Sequence, residues 1–169
     1  VLARNARAPM GELRYYADTR LDRFSTALAK AQLGAALSMA GDKERAGNVF
    51  KSALKHMDES AADASARADF GSGLRDGAAF VTLAAESGMA RMETPRLAAV
   101  VSKAYQTRTH TSTQEQAWML LAAKALGGQV VALAPIAERR EFAKKLGADL
   151  VTDPADPQAA QSIREFSGG

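Results

Sequence analysis

With 169 residues, 47% hydrophobic and only 6% aromatic, the chain has enough apolar material for one domain, or for one and a small part. Alanine supplies much of it, which favours closely packed helices over a sheet sandwich. The 22 basic and 19 acidic residues leave a net charge of +3, and the absence of cysteine excludes disulfides, thiolate nucleophiles, Cys-ligated zinc and an internal thioester. The opening VLARNARAPM lacks the apolar core of a signal peptide, and no uncharged apolar run reaches the ~18 residues of a membrane span, so a soluble chain with no membrane partner is expected. A start at Val1 instead of Met reads as a processed piece.

In chain order, residues 1–9 read as a frayed lead-in, followed by a helix over 10–22 with Leu13, Tyr16, Ala17 and Leu21 on one face. Ser25 or Thr26 starts a second helix over 27–39, with Leu28, Ala31, Gln32 and Ala35 on one side and Leu33 and Leu37 on the adjoining one. Gly41 ends it, and Asp42 caps a helix over 43–56 whose buried stripe is Ala46, Val49, Phe50, Ala53 and Leu54. Residues 58–72 read as a loop or short weak helix anchored by Phe70. Ser72 then caps a helix over 74–87, with Ala78, Val81, Leu83 and Ala85 among its apolar positions and Gly88 as its stop. Thr94-Pro95 opens another helix to about residue 105.

The stretch 110–126, HTSTQEQAWMLLAAKAL, holds the only tryptophan and the clearest helix start. Ser112 and Glu115 have capping-box spacing, and Trp118, Leu121, Ala122, Ala125 and Leu126 predict a wide buried face ended by Gly127-Gly128. After Gly128 the pattern changes. QVVALA and ADLVTD read as two short strands around a charged helix over 136–146, with Phe142 and Leu146 inward and Glu138, Arg139, Arg140 and Lys144 outward. Asp153-Pro154 and Asp156-Pro157 make turns before a last helix over 157–166. This is a βαβα unit with parallel, right-handed connection.

Residues with chemical potential form no catalytic set. His56 and His110 are the only histidines; His56 suits a helix C-terminus better than a metal pair completed by Asp58 or Glu59. Gly71-Ser72-Gly73 follows no strand and lacks a third glycine, so it is not a phosphate loop. No nucleophile-elbow sequence supports a Ser/His/Asp triad, and nothing marks Glu12 and Asp18 as a glycosidase pair. Met57, Met89 and Met92 read as core fillers or loop anchors. Arg4, Arg7, Arg14, Arg20 and Arg23 make the N-terminal end basic, but Asp18 and Asp22 interleave and no aromatic stacking set accompanies them, so a solvated helix face without a nucleic-acid partner is expected. The hairpin at 27–56 matches tetratricopeptide spacing through Leu33-Gly34, Leu37, Ala46, Phe50 and Ala53, which leaves a peptide-binding scaffold as the weakest alternative, since no second copy appears.

Three segments, LRYYADTRLDRFSTALAKAQLGAALSMAGDKERAGNVFKSAL, FGSGLRDGAAFVTLAAESG and YQTRTHTSTQEQAWMLLAAKAL, give residues ~11–126 a resemblance to bacterial alpha-2-macroglobulin-like proteins. They look like later helices of the thioester-bearing domain, an α/α toroid of paired helices. The resemblance implies trapping of proteases at the bacterial cell envelope or periplasm, through a Cys–Gln thioester that this chain does not contain. Gln114-Glu115-Gln116 has no cysteine before it and reads as a helix start and cap. Residues ~123–169, through AKALGGQVVALAPIAERREFAKKLGADLVTDP and SIREFSGG, resemble the NAD(P)-binding Rossmann segment of medium-chain alcohol dehydrogenases. That resemblance implies hydride transfer, but the first strand and GxGxxG turn are missing and Ala134 stands where an acidic residue usually holds the ribose. Arg139 and Arg140 are the one weak pair of candidates for a 2′-phosphate.

The expected fold is therefore mainly α: antiparallel helical pairs, an α/α toroid-like fragment at 1–126, then a βαβα Rossmann-like tail at 127–169 that shares the 112–126 helix. A chimera joined on that helix follows from the two resemblances. The expected function is non-enzymatic, structural or interactive, with no cofactor and no metal. A partial NAD(P)-binding oxidoreductase module is the alternative. The strand at 130–133 (Val130, Val131, Ala132, Leu133) would have a bare apolar edge, expected either to pair with a second copy in a homo-oligomer or to lie under the upstream helices.

Overall fold

The computed structural model describes residues 2–60, 71–89, 94–106, 108–145 and 147–168, the side chains of 58–60 and 94 excepted. Eight α-helices and one two-stranded sheet are found among them, and the chain divides into two compact units, Val1–Leu126 and Gly127–Gly169.

The described elements of the first unit are all helices. A short 3₁₀ turn (Ala3–Asn5) precedes α1 (Met10–Thr19), and a second one (Leu21–Arg23) leads into α2 (Ala27–Met39) and α3 (Lys43–Ser60). Then come α4 (Gly73–Ser87), α5 (Thr94–Gln106) and α6 (Thr113–Ala125). Thr26 caps α2 by accepting the Ala29 N–H at 3.1 Å. At the other end of α2, Gly41 takes φ +92°, so its N–H reaches Ser38 O (3.0 Å) and that of Asp42 reaches Leu37 O (2.9 Å). This Schellman closure satisfies two carbonyls that the helix end would leave bare, and it starts α3 at once. The Asp42 carboxylate accepts the Arg45 N–H at 3.4 Å, consistent with its role as cap.

The hairpin α2/α3 packs closely because Gly34 has no side chain. A Cβ there would stand 3.1 Å from the Phe50 ring, which in turn meets Phe80 edge-on with centroids 5.4 Å apart. Ala31, Ala35, Ala53 and Met57 surround this pair, and the core continues through Ala78, Val81, Leu97 and Ala122 into α4, α5 and α6. A second cluster of Leu33, Leu37, Ala46 and Val49 receives Met10, Leu13, Ala17 and Leu21 from the N-terminal segment.

The organising element is α4. It packs against α2, α3, α5 and α6, and twelve of its residues are buried, including Thr82, whose hydroxyl donates to Ala78 O within the helix. A helix surrounded by four others owes its burial to those neighbours, which its own sequence does not reveal.

The second unit is a βαβα unit. Strands β1 (Val131–Leu133) and β2 (Leu150–Thr152) pair in parallel, Val131 opposite Leu150, across α7 (Ala137–Lys145), with α8 (Ala159–Ser167) following. Asp153 and Asp156 make the two expected turns, accepting the Ala155 and Gln158 N–H groups at 2.9 Å each.

Several expectations need correction. The first helix stops at Thr19, because Arg20 leaves helical geometry, and α3 runs on past His56 to Ser60. Tyr16 does not face the core; it is exposed against Tyr15 and Phe24. Gln32 is exposed, while Lys30 is buried with its ammonium on Ser52 Oγ at 3.1 Å. The buried face of α6 is narrow: Glu115 and Ala122 are buried and Trp118 packs against the core, but Leu121 is 46% exposed and Leu126 is exposed too. Phe142, expected inward, is 62% exposed. Phe70, Met92 and Leu146 lie outside the described residues, as do the side chains of Asp58 and Glu59.

Candidate functional site

The most developed polar cluster lies where α4 and α6 begin. Ser72, the N-cap of α4, accepts the Arg75 N–H at 3.1 Å and donates its hydroxyl to Glu115 Oε1 at 2.6 Å. Glu115 belongs to the first turn of α6. Its Oε2 accepts the Ser112 N–H at 2.7 Å, and its own N–H is held by Ser112 Oγ at 3.3 Å. One carboxylate thus closes the capping box of its own helix and grips the cap of another. Arg75 adds Asp76 (2.9 Å from Nε to Oδ1) and Gln114 Oε1 (3.4 Å), and Arg108 lies 3.7 Å from Glu115.

Glu115 is 5% exposed. Burial by itself would raise its pKa, but the Ser72 hydroxyl, the Ser112 N–H and hydroxyl, and the Arg108 charge outweigh it and hold the carboxyl below the usual range. An ionised, fully bonded carboxylate at two helix N-termini is a lock; every oxygen that could serve as a base is already an acceptor. The Ser112–Glu115 capping box stands as the spacing predicts, and Gln114-Glu115-Gln116 is a helix start. Nothing local in the sequence indicated Ser72 or Arg108 as partners of Glu115, since 43 residues separate Ser72 from it.

A second cluster sits at the turn from α2 to α3. Arg14 donates to Asp42 Oδ2 at 2.8 Å, Arg45 reaches the same oxygen at 3.2 Å, and Arg45 also grips Asp18 at 2.9 and 3.0 Å. The Arg14 bond is the main reason the Asp42 carboxyl is held below its ordinary value, with Arg45 adding to it against the effect of burial. Nearby, the Lys43 ammonium bonds Ser38 Oγ (2.8 Å) and Ser87 O (3.4 Å), a cation at the C-terminal ends of α2 and α4. Arg4 pairs with Glu86. Arg4 and Arg14 of the N-terminal basic run are thereby spent on acids of their own chain.

Arg20 and Arg23 are different. They share a pocket with Tyr15, Tyr16 and Phe24, so an aromatic set does accompany this basic segment, against the sequence expectation. Tyr15, Tyr16 and Phe24 are up to nine residues apart, and only the break after Thr19 folds them together.

The remaining candidates do not converge. His56 is half-buried on α3 and His110 is exposed before α6, and no group of three metal-ligating side chains forms among the described residues. In the second unit Arg139 is exposed, whereas Arg140 is half-buried and donates from one nitrogen to Ala134 O (2.7 Å), Pro135 O (2.9 Å) and Asp153 Oδ2 (2.9 Å). Arg140 thus ties the ends of both strands to α7. No described helix is long and apolar enough to cross a membrane.

Comparison with solved structures gives the helical architecture its relatives. The chain is similar to the native conformation of Escherichia coli alpha-2-macroglobulin, seen by electron cryo-microscopy, with a TM-score of 0.62 and 32% identity over 74% of this chain. A crystal structure of a Salmonella alpha-2-macroglobulin mutant matches with a TM-score of 0.61 and 31% identity over 73% of the chain. In each case the chain spans 8% of the length of its neighbour. No protein-family model and no curated protein matches. The chain is therefore alpha-2-macroglobulin-like over most of its length, as a helical segment. Neither neighbour is a dehydrogenase, and neither supports a Rossmann tail or a chimeric origin.

Proposed function

We propose that residues 1–126 are a structural piece of a thioester-bearing, α/α-toroid domain of the alpha-2-macroglobulin kind, and that this chain has no catalytic activity of its own. The observation that carries this reading is a likeness in fold and sequence together, 32% identity at a TM-score of 0.62. With no cysteine, the chain cannot form the thioester that covalent protease capture uses. Its contribution would be shape: a rigid helical block, locked at α4 and α6 by Glu115, on which the rest of such a domain packs. Exchanging the matching segment of the Escherichia coli protein for residues 1–126 tests this. A hybrid that melts cooperatively as the parent does is the expected result, and a hybrid that aggregates or melts in two steps overturns it.

The nucleotide-binding alternative for 127–169 is disfavoured by Arg140, whose guanidinium is already bonded to two carbonyls and Asp153. Calorimetric titration with NAD and NADP should give no binding tighter than ~1 mM, about 4 kcal/mol. Among the described residues β1 pairs with β2 alone, and we propose that its outer edge recruits the same edge of a second copy. Sedimentation should show concentration-dependent dimers; a strict monomer at high concentration rules the pairing out.

A further inference from the structure

The pocket at the end of α1 matches a class of ligand that the scaffold role leaves unused. It is an open depression of about 420 Å³ lined by Tyr15, Tyr16, Arg20, Arg23 and Phe24, a volume within the ~300–1,000 Å³ range of small-molecule sites. Its aromatic wall is built in steps: Tyr15 meets Tyr16 edge-on at 5.6 Å, and Tyr16 meets Phe24 at 6.0 Å. Two of these rings remain roughly half open to solvent, Tyr15 at 48% and Tyr16 at 45%. Exposed tyrosines gathered with a half-buried phenylalanine give a ligand ring an apolar face that the fold itself leaves uncovered.

The cations are placed to match. Arg20 Nε donates to Tyr15 Oη at 2.9 Å, and its guanidinium lies 5.7 Å from the centre of the Tyr15 ring. This fixes the side chain while leaving its outer amino groups for an acceptor. Arg23 is exposed and lines the same pocket. No carboxylate pairs with Arg20 or Arg23 among the described residues, whereas Arg4, Arg14 and Arg45 each hold one. Asp18, the acid one turn away on α1, is gripped by Arg45. Two guanidinium groups without an internal counter-ion, beside open aromatic faces, call for an oxyanion attached to a ring.

We propose that this pocket binds a small aromatic oxyanion, with the ring against Tyr15, Tyr16 and Phe24 and the carboxylate or phosphate held by Arg20 and Arg23. The shared chemistry has two sources, a free small acid or the C-terminal carboxylate of an aromatic residue. Titrations followed by the aromatic NMR signals of Tyr15, Tyr16 and Phe24 separate them, with benzoate and phenyl phosphate as free acids and N-acetyl-phenylalanine against its amide for the terminus. Saturable shifts with Kd about 1 mM or tighter are expected for at least one acid, with inorganic phosphate, benzyl alcohol and the amide at least about tenfold weaker. Arg23→Gln should weaken that acid about tenfold with melting unchanged, because the residue is exposed. Lack of saturation by every acid at about 10 mM, unchanged affinity in Arg23→Gln, or tighter binding of a single-stranded oligonucleotide than of any acid would each overturn the assignment.

Discussion

Residues 1–126 and 127–169 obey the same local rules and end with very different interiors. Both are punctuated by glycines of positive φ that close helices, Gly41 and Gly88 in the first unit and Gly147 in the second, each with the same pair of backbone bonds. In the first unit those hairpins surround α4, and the largest buried side chains, Phe80, Leu37, Leu74 and Leu97, all lie there. In the second, Val130 and Ala159 are the only buried apolar residues among those described, and Leu133, Ile136 and Phe142 stand exposed. The lesson is that correct local signals suffice to make elements, while a core needs elements on both sides of each apolar face. A two-stranded parallel sheet with two short helices cannot supply them. The first unit should therefore carry nearly all of the cooperative stability.

The sharpest way to break that comparison is Phe80→Ala. Phe80 is 1% exposed and packed edge-on against Phe50, so its loss should cost about 3–5 kcal/mol and lower the melting temperature of the main transition. An unchanged melt would show that α4 is not the centre of the core. Glu115→Ala should cost about 1–3 kcal/mol, since Ser72 and the Ser112 N–H lose their acceptor together. The pH dependence has a definite sign. Because the folded carboxyl lies below its ordinary value of 4.5, its stabilisation is complete above that value and is lost as pH falls through the lower folded one. Glu115→Gln should flatten the acid limb of stability against pH, measured by denaturant melts from neutral pH downward.

Smaller effects sharpen the contrast. Arg140→Ala removes bonds from one nitrogen to Ala134, Pro135 and Asp153, and should cost the second unit about 1–2 kcal/mol. Hydrogen exchange at Ala134 and Leu150, whose N–H groups bond across the strand pair, should rise while α4 keeps its protection. Gly34→Ala would gain helix propensity but press a methyl within 3.1 Å of a Phe50 ring that Phe80 backs, so a net loss of about 1 kcal/mol is expected from thermal melts. Phe142→Ser should change stability by less than about 0.5 kcal/mol, because the ring is mostly in water already. A large loss there would mean that Phe142 has a partner.

Sequence by itself determined the elements and most of their ends in this protein. The Ser72 and Ser112 caps, the Gly41 and Gly88 stops, the Ala46–Val49–Phe50–Ala53 stripe and the parallel strand pair are all found as the residues dictate, because each depends on neighbours within a few positions. Tertiary structure alone decided which apolar faces find a partner. Leu121 and Phe142 follow helical periodicity as well as Val49 does, yet remain exposed, because no described element packs over them. It also decided the polar contacts. Ser72 with Glu115, Arg14 with Asp42 and the tyrosines with Arg20 and Arg23 depend on chain reversals, and no spacing rule encodes which distant side chains a reversal will bring together.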